Sequence, residues 1–129
     1  MNAQEFFRND RFAQLLGIEL LEIGEGRART KLEISDEHLN ALNIVHGGVI
    51  FTLADFTMAA AANSSEYTAV AINANVSFLK AGKRGTLFAE AIETSRNNKL
   101  ATYAINVTDN DKDLIASYQG MVYRKKETK

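Results

Sequence analysis

Asp55 is the only ionisable side chain between His46 and Glu66, and its neighbours are Phe51, Leu53, Ala54, Phe56 and Met58. Aspartate is a poor helix-interior residue, and an unpaired buried carboxylate is costly. A carboxylate in that company is either paired for structural reasons or kept for chemistry, as a general base or a nucleophile. The same stretch opens with His46-Gly47-Gly48. Two glycines at the start of a helix offer unencumbered backbone N–H groups at the positive end of its dipole. Such a terminus stabilises an anion, whether a phosphate or the oxyanion of an acyl-transfer intermediate. A tight turn into the helix would account for the glycines alone; Asp55 adds weight to the chemical reading.

Gly47 and Asp55 are too far apart to serve one reacting carbonyl from one helix. Eight residues at ~1.5 Å rise separate them by about 12 Å, whereas both groups would need contacts of about 3 Å. If both act on one substrate, they come from two copies of the helix, and function requires at least a dimer. His46 is a candidate general base, a role histidine commonly fills. His38 is expected to be an exposed loop residue. No group of His, Asp and Glu has metal-ligand spacing, so no metal is expected.

The elements that must position these groups follow from periodicity. Gly48 to Asn63 is too long for a typical strand and is rich in Ala, Leu and Met, which predicts a helix. It is apolar nearly all round, as suits a helix surrounded by protein. Before it, Asn2 to Glu5 resembles a capping box leading into one or two helical turns with Phe6, Phe7 and Phe12, ended by Gly17. Ile18 to Ile23 and the alternating Ala28, Thr30, Leu32 and Ile34 predict two strands joined at Gly24-Glu25-Gly26. After the helix, Val70 to Phe78, Thr86 to Thr94, Leu100 to Thr108 and Leu114 to Arg124 predict four more, with Val70, Ile72, Ala74, Val76 and Phe78 on one face of the first. Arg124 to Lys129 is expected to fray. An antiparallel sheet of this size with one helix to cover it should curl round that helix, an α+β arrangement.

The 129 residues suit one domain, spanning 1–129, and the 46% hydrophobic and 24% charged content is that of a globular protein. Fifteen basic and sixteen acidic residues give a net charge of -1, which disfavours nucleic-acid binding by bulk electrostatics. The absence of cysteine excludes disulfides, thiolate metal sites and cysteine nucleophiles. Met1 to Asp10 lacks the apolar core of a signal peptide, and the longest apolar stretch is short for a membrane span and interrupted by Asp55. A cytoplasmic protein without membrane association is the expectation.

His46-Gly47-Gly48 with Asp55, together with Asn75-Val76-Ser77-Phe78-Leu79 downstream, resembles the hotdog-fold acyl-CoA thioesterases. The similarity is to the phenylacetate-degradation (PaaI-like) type of the 4-hydroxybenzoyl-CoA thioesterase superfamily, and it covers nearly the whole chain. It implies a hotdog fold, a curved antiparallel sheet around one long helix, assembled as a homodimer and commonly as a homotetramer. It implies Asp55 as nucleophile or general base, and the Gly47 N–H, with Gly48 beside it, polarising a thioester carbonyl across the dimer interface. Asn40 would hold the water or the thioester, with Asn43 as an alternative in the same loop. His46 becomes a loop-organising residue, and Asn75 a structural residue first and a substrate-binding one second. The chain departs from the pattern at Ala71, where some relatives carry a serine or threonine that assists the water. It departs again at Lys80-Ala81, where a proline is common.

On this resemblance coenzyme A is part of the substrate and no further cofactor is expected. Its phosphates would be held by basic residues, best by Lys80, Lys83 and Arg84, with Arg96 and Lys99 flanking a second turn. The acyl group would be an aryl or medium-chain one. The alternative is a non-catalytic acyl-CoA binding or sensing module of the same fold, against which the presence of Asp55 argues. A hotdog dehydratase would want a histidine–carboxylate pair, and His46 and Asp55, nine residues apart, fit that poorly within one chain.

Overall fold

The computed structural model describes residues 3–126. Two short helices, α1 (Ala3–Asn9) and α2 (Arg11–Leu16), precede strands β1 (Glu19–Gly24) and β2 (Arg27–Glu33). A 3-10 turn at Asp36–His38 and a loop lead to the long helix α3 (Gly47–Ala62), followed by β3 (Tyr67–Phe78), β4 (Thr86–Arg96), β5 (Leu100–Thr108) and β6 (Leu114–Lys126). The element order matches the sequence expectation. The capping box expected at Asn2 lies outside the described residues; the cap that is present is Asp10, whose carboxylate accepts from the Ala13 N–H at 3.0 Å. Gly17 ends α2 in the left-handed conformation, φ 89°, where glycine carries no Cβ penalty.

The strands form one six-stranded sheet in the order β1-β2-β4-β5-β6-β3, with every pairing antiparallel. The sheet packs its inner face on α3. Leu53, Ala54, Met58 and Ala60 of the helix are fully buried against Leu32, Ala91, Ile105, Val107 and Tyr118. The helix comes so close to β6 that a Cβ on Gly120 would fall 2.3 Å from the Met58 sulfur. A larger residue there would force the Met58 side chain and the Tyr118 ring to shift.

Three expectations are corrected. The alternation of β3 is broken by a bulge between Ala71 and Asn73. Val70 therefore pairs with Tyr123 on the outer face and is exposed, while Ala74, Val76 and Phe78 pair with Gly120, Tyr118 and Ala116 on the helix side. An extra residue in one strand flips the face of everything beyond it. Secondly, Arg124 does not fray. It is buried, donates to the Asn97 carbonyl at 2.6 Å and lies 3.9 Å over the Tyr67 ring; only residues 127–129 of the tail fall outside the described region.

Thirdly, His38 is buried rather than exposed. The 3-10 turn brings its Nδ1 to the Ser35 N–H at 3.0 Å, and its Nε2 donates to the Leu16 carbonyl at 2.8 Å. Charged neighbours Asp36 and Glu37 suggest exposure in the sequence, but the tight turn points the third residue inward. His38 thus ties α2 to the loop that carries the candidate site.

Candidate active site

The loop before α3 is built by its own polar groups. The Leu39–Val45 bridge closes it, and the Asn40 side-chain oxygen accepts from the N–H groups of Leu42 and Ile44 at 2.9 and 3.3 Å. Asn43 occupies the left-handed region at φ 63°, which asparagine tolerates better than most residues. Asn40 therefore shapes the loop with its oxygen, its side-chain NH2 has no partner among the described residues, and the residue lines a cleft of about 320 Å³. Asn43 is exposed and is not among the residues lining that cleft.

His46 is the N-cap of α3. Its Nδ1 accepts from the Gly48 N–H at 2.8 Å, so the ring proton sits on Nε2. The ring is spent on holding the helix start, as the loop-organising reading expects. Gly48 is needed for this, because a Cβ there would lie 3.0 Å from Nδ1. The Gly48 amide is accordingly not free for a ligand, contrary to the expectation that both glycines would offer theirs.

The Val49 and Ile50 N–H groups turn back to the His46 carbonyl at 3.0 and 3.2 Å. This leaves Gly47 as the one N-terminal amide of α3 without a partner among the described residues. It lines the same cleft as Asn40, Phe78, Leu79 and Lys80. Phe78 covers it so closely that a Cβ on Gly47 would meet the ring at 3.3 Å.

Asp55 lies two turns along on the half-exposed stripe of α3, with Thr52 and Ala59. Its Oδ1 accepts from the Tyr118 hydroxyl at 2.8 Å. Tyr118 is fully buried on the inner face of β6, and Phe51 packs edge-on against its ring at 5.4 Å between centroids. Burial, reinforced by the Asp55 carboxylate, pushes the Tyr118 phenol far above its ordinary range, so it remains a donor. Sequence reasoning missed this residue. The available signal was a tyrosine on the strand face shared with Ala116, Gly120 and Val122, since a buried phenol needs a partner for its hydroxyl.

The remaining expected residues divide. Lys80 sits on the cleft rim but pairs with Asp113 and, at 3.5 Å, with Asp109. The Asp113 hydrogen bond raises the Lys80 pKa. Arg84 pairs with Asp36, while Lys83 is exposed with no ion pair among the described residues. Asn75 pairs with Gln119 on the outer face of the sheet and lines a shallow depression with Asn73, Thr94 and Thr102, so within one chain it does not meet Asp55. No cluster of three or more metal-ligating side chains occurs among the described residues, and no described helix is long and apolar enough to cross a membrane.

A curved antiparallel sheet round one long helix, with an open amide at the helix start and a tethered carboxylate midway, is a hotdog fold. The profile of the thioesterase superfamily matches residues 42–116, and the chain belongs to that family. An Archaeoglobus fulgidus protein provisionally named an esterase is 43% identical over 122 residues, covering 94% of this chain and 79% of its own. The Escherichia coli acyl-coenzyme A thioesterase PaaI is 32% identical, covering 95% of this chain and 89% of its own. The solved structure of E. coli PaaI superposes with a TM-score of 0.94 over 98% of this chain and 93% of that one. A variant of PaaI from Thermus thermophilus, at 30% identity, superposes with a TM-score of 0.86 over 90% of this chain and 100% of its own. The chain is thus a PaaI-like member of the hotdog-fold thioesterase superfamily.

Proposed function

We propose that the chain hydrolyses acyl-CoA thioesters, with an aryl or medium-chain acyl group, to the free acid and coenzyme A. The observation that carries this is the pairing on one helix of an uncommitted Gly47 amide and an Asp55 carboxylate held by one oxygen only. As a general base, Asp55 takes a proton from water while the water oxygen bonds to the thioester carbon. The carbonyl electrons move onto oxygen, where the Gly47 N–H stabilises them. Collapse of that intermediate expels the coenzyme A thiolate, which recovers the proton. As a nucleophile, Asp55 would itself bond to the carbon and expel the thiolate, and water would then release the acid. Asn40 Nδ2 is available to hold the water or the carbonyl.

The active unit is a homodimer at minimum, and pairing of dimers gives a homotetramer. The separation of about 12 Å between Gly47 and Asp55 along one helix requires the partner's residue to complete each site. β3 supplies a fitting edge: twelve residues long, unpaired on one side, with Val70, Ile72 and Phe78 exposed. Lys83, with Lys80 at the cleft rim, is suited to the phosphates. Exposed ion pairs such as Lys80–Asp113 are weak, so a multiply charged phosphate can displace the carboxylates. Because coenzyme A thioesters are intracellular metabolites, the cytoplasm is the expected location.

The test is coenzyme A release, followed with a thiol reagent, from short, medium, long and aryl acyl-CoAs. The cysteine-free protein adds no thiol background. Turnover that collapses in folded Asp55→Asn supports hydrolysis. Tight acyl-CoA binding without turnover of any thioester would instead make the chain a binding module.

A further inference from the structure

We propose that Tyr118 is a positioning residue for Asp55, fixing Oδ1 so that Oδ2 alone faces the reacting thioester; this rests on the reading of Asp55 as the catalytic group. A free carboxylate turns broadly about its last side-chain torsion, and its two oxygens exchange places. A hydrogen bond from an immobile donor removes that freedom. Tyr118 is such a donor: fully buried, braced by Phe51, and paired across the sheet with Val76 and Ile105. Gly120 contributes by omission, since a Cβ there would lie 2.9 Å from a Tyr118 ring carbon.

The hydroxyl approaches from beneath the helix, while Asp55 itself is half-exposed on the open stripe of α3. Tyr118 therefore acts through the carboxylate and does not touch substrate. The raised phenol pKa keeps the proton in place throughout the neutral range, so the tether does not switch off as pH changes. Orienting the reacting oxygen in advance removes rotational freedom that the transition state would otherwise have to remove.

Tyr118→Phe keeps the ring and deletes the hydroxyl. With an acyl-CoA that the wild type turns over, kcat is expected to fall about ten- to a hundredfold, the range for losing one hydrogen bond to a charged group. KM should stay within about twofold, because no substrate contact is removed. In an Asp55→Asn background the same substitution should change the residual rate by less than about twofold, since there is no carboxylate left to orient. Unchanged kcat in folded Tyr118→Phe, with Asp55→Asn inactive, would overturn the positioning role alone. A rise in KM at constant kcat would also overturn it. Full activity of Asp55→Asn would overturn the reading of the site itself. Should Tyr118→Phe fail to fold, Phe51→Leu loosens the ring and keeps the hydroxyl; a loss confined to kcat supports the proposal, and an unchanged kcat overturns it.

Discussion

Thr57 and Asp55 sit two residues apart on α3 and are treated in opposite ways. The Thr57 hydroxyl is fully buried and saturated, bonded to Thr30 at 2.7 Å and to the Leu53 carbonyl at 2.6 Å. Asp55 is half-exposed and has one oxygen tethered, leaving the other open. The two ends of the helix repeat the contrast. At the C-terminal end, side chains of Asn63 and Ser64 close the Ala59 and Ala61 carbonyls at 2.8 and 2.7 Å. At the N-terminal end, His46 satisfies Gly48 and the Gly47 amide is left open. Saturated polar groups hold a fold together, whereas the Gly47 amide and the second Asp55 oxygen are left available for a ligand.

The sharpest way to break this contrast is to close the open end. Gly47→Pro removes the amide proton at the first helical position, where proline is well tolerated, and His46 at φ -61°, ψ 135° already has the backbone a residue before proline prefers. The expected result is a fall in kcat of roughly 10²–10³, typical of losing an oxyanion donor, with helix content by circular dichroism unchanged. Gly47→Ala keeps the amide and only crowds Phe78. It should cost far less, and equal losses in the two variants would show that space rather than the N–H matters. Asp55→Asn should lower kcat by about 10²–10⁴, as for removal of a general base, whereas Thr57→Val should lower the melting temperature and leave kcat of the folded enzyme intact.

Effects on stability are smaller. Tyr118 and Tyr103 both have raised pKa values, Tyr103 up to about 12 through burial and Glu93. Raised folded values mean that the stability they contribute is complete below the unfolded value of about 10 and is lost as pH rises through the folded values. The melting temperature should therefore fall steeply above about pH 10, and less steeply in Tyr103→Phe. His46→Ala removes a cap and should cost about 0.5–2 kcal/mol. It should leave substantial turnover, measured alongside thermal unfolding; complete loss of activity in a folded variant would make His46 more than a cap.

Much of the architecture is legible in the residues. The long Ala-rich apolar run can only be a surrounded helix, and the alternation of Ala28, Thr30, Leu32 and Ile34 gives β2 its inner face. Asp55 stands out because nothing near it in sequence is charged. What is not legible depends on contacts distant in sequence or on a single-residue shift. The β3 bulge moves Val70 outward, and no residue type marks it. The bond from Tyr118 to Asp55 spans 63 residues. His38 is hidden because a 3-10 turn, rather than its charged neighbours, decides its direction. Lys80 and Arg84 look like free cations until the turns that carry Asp113 and Asp36 fold beside them.

The central claim is that each site combines Gly47 of one protomer with Asp55 of another. It is tested most directly by mixing Gly47→Pro and Asp55→Asn proteins, dissociating and reassociating them, and measuring coenzyme A release. Random reassortment makes half the dimers mixed, each with one intact site and one doubly altered site, so activity should return to about a quarter of wild type. Mixed dimers that form, as judged by native mass spectrometry, yet remain as inactive as their parents would contradict the shared site.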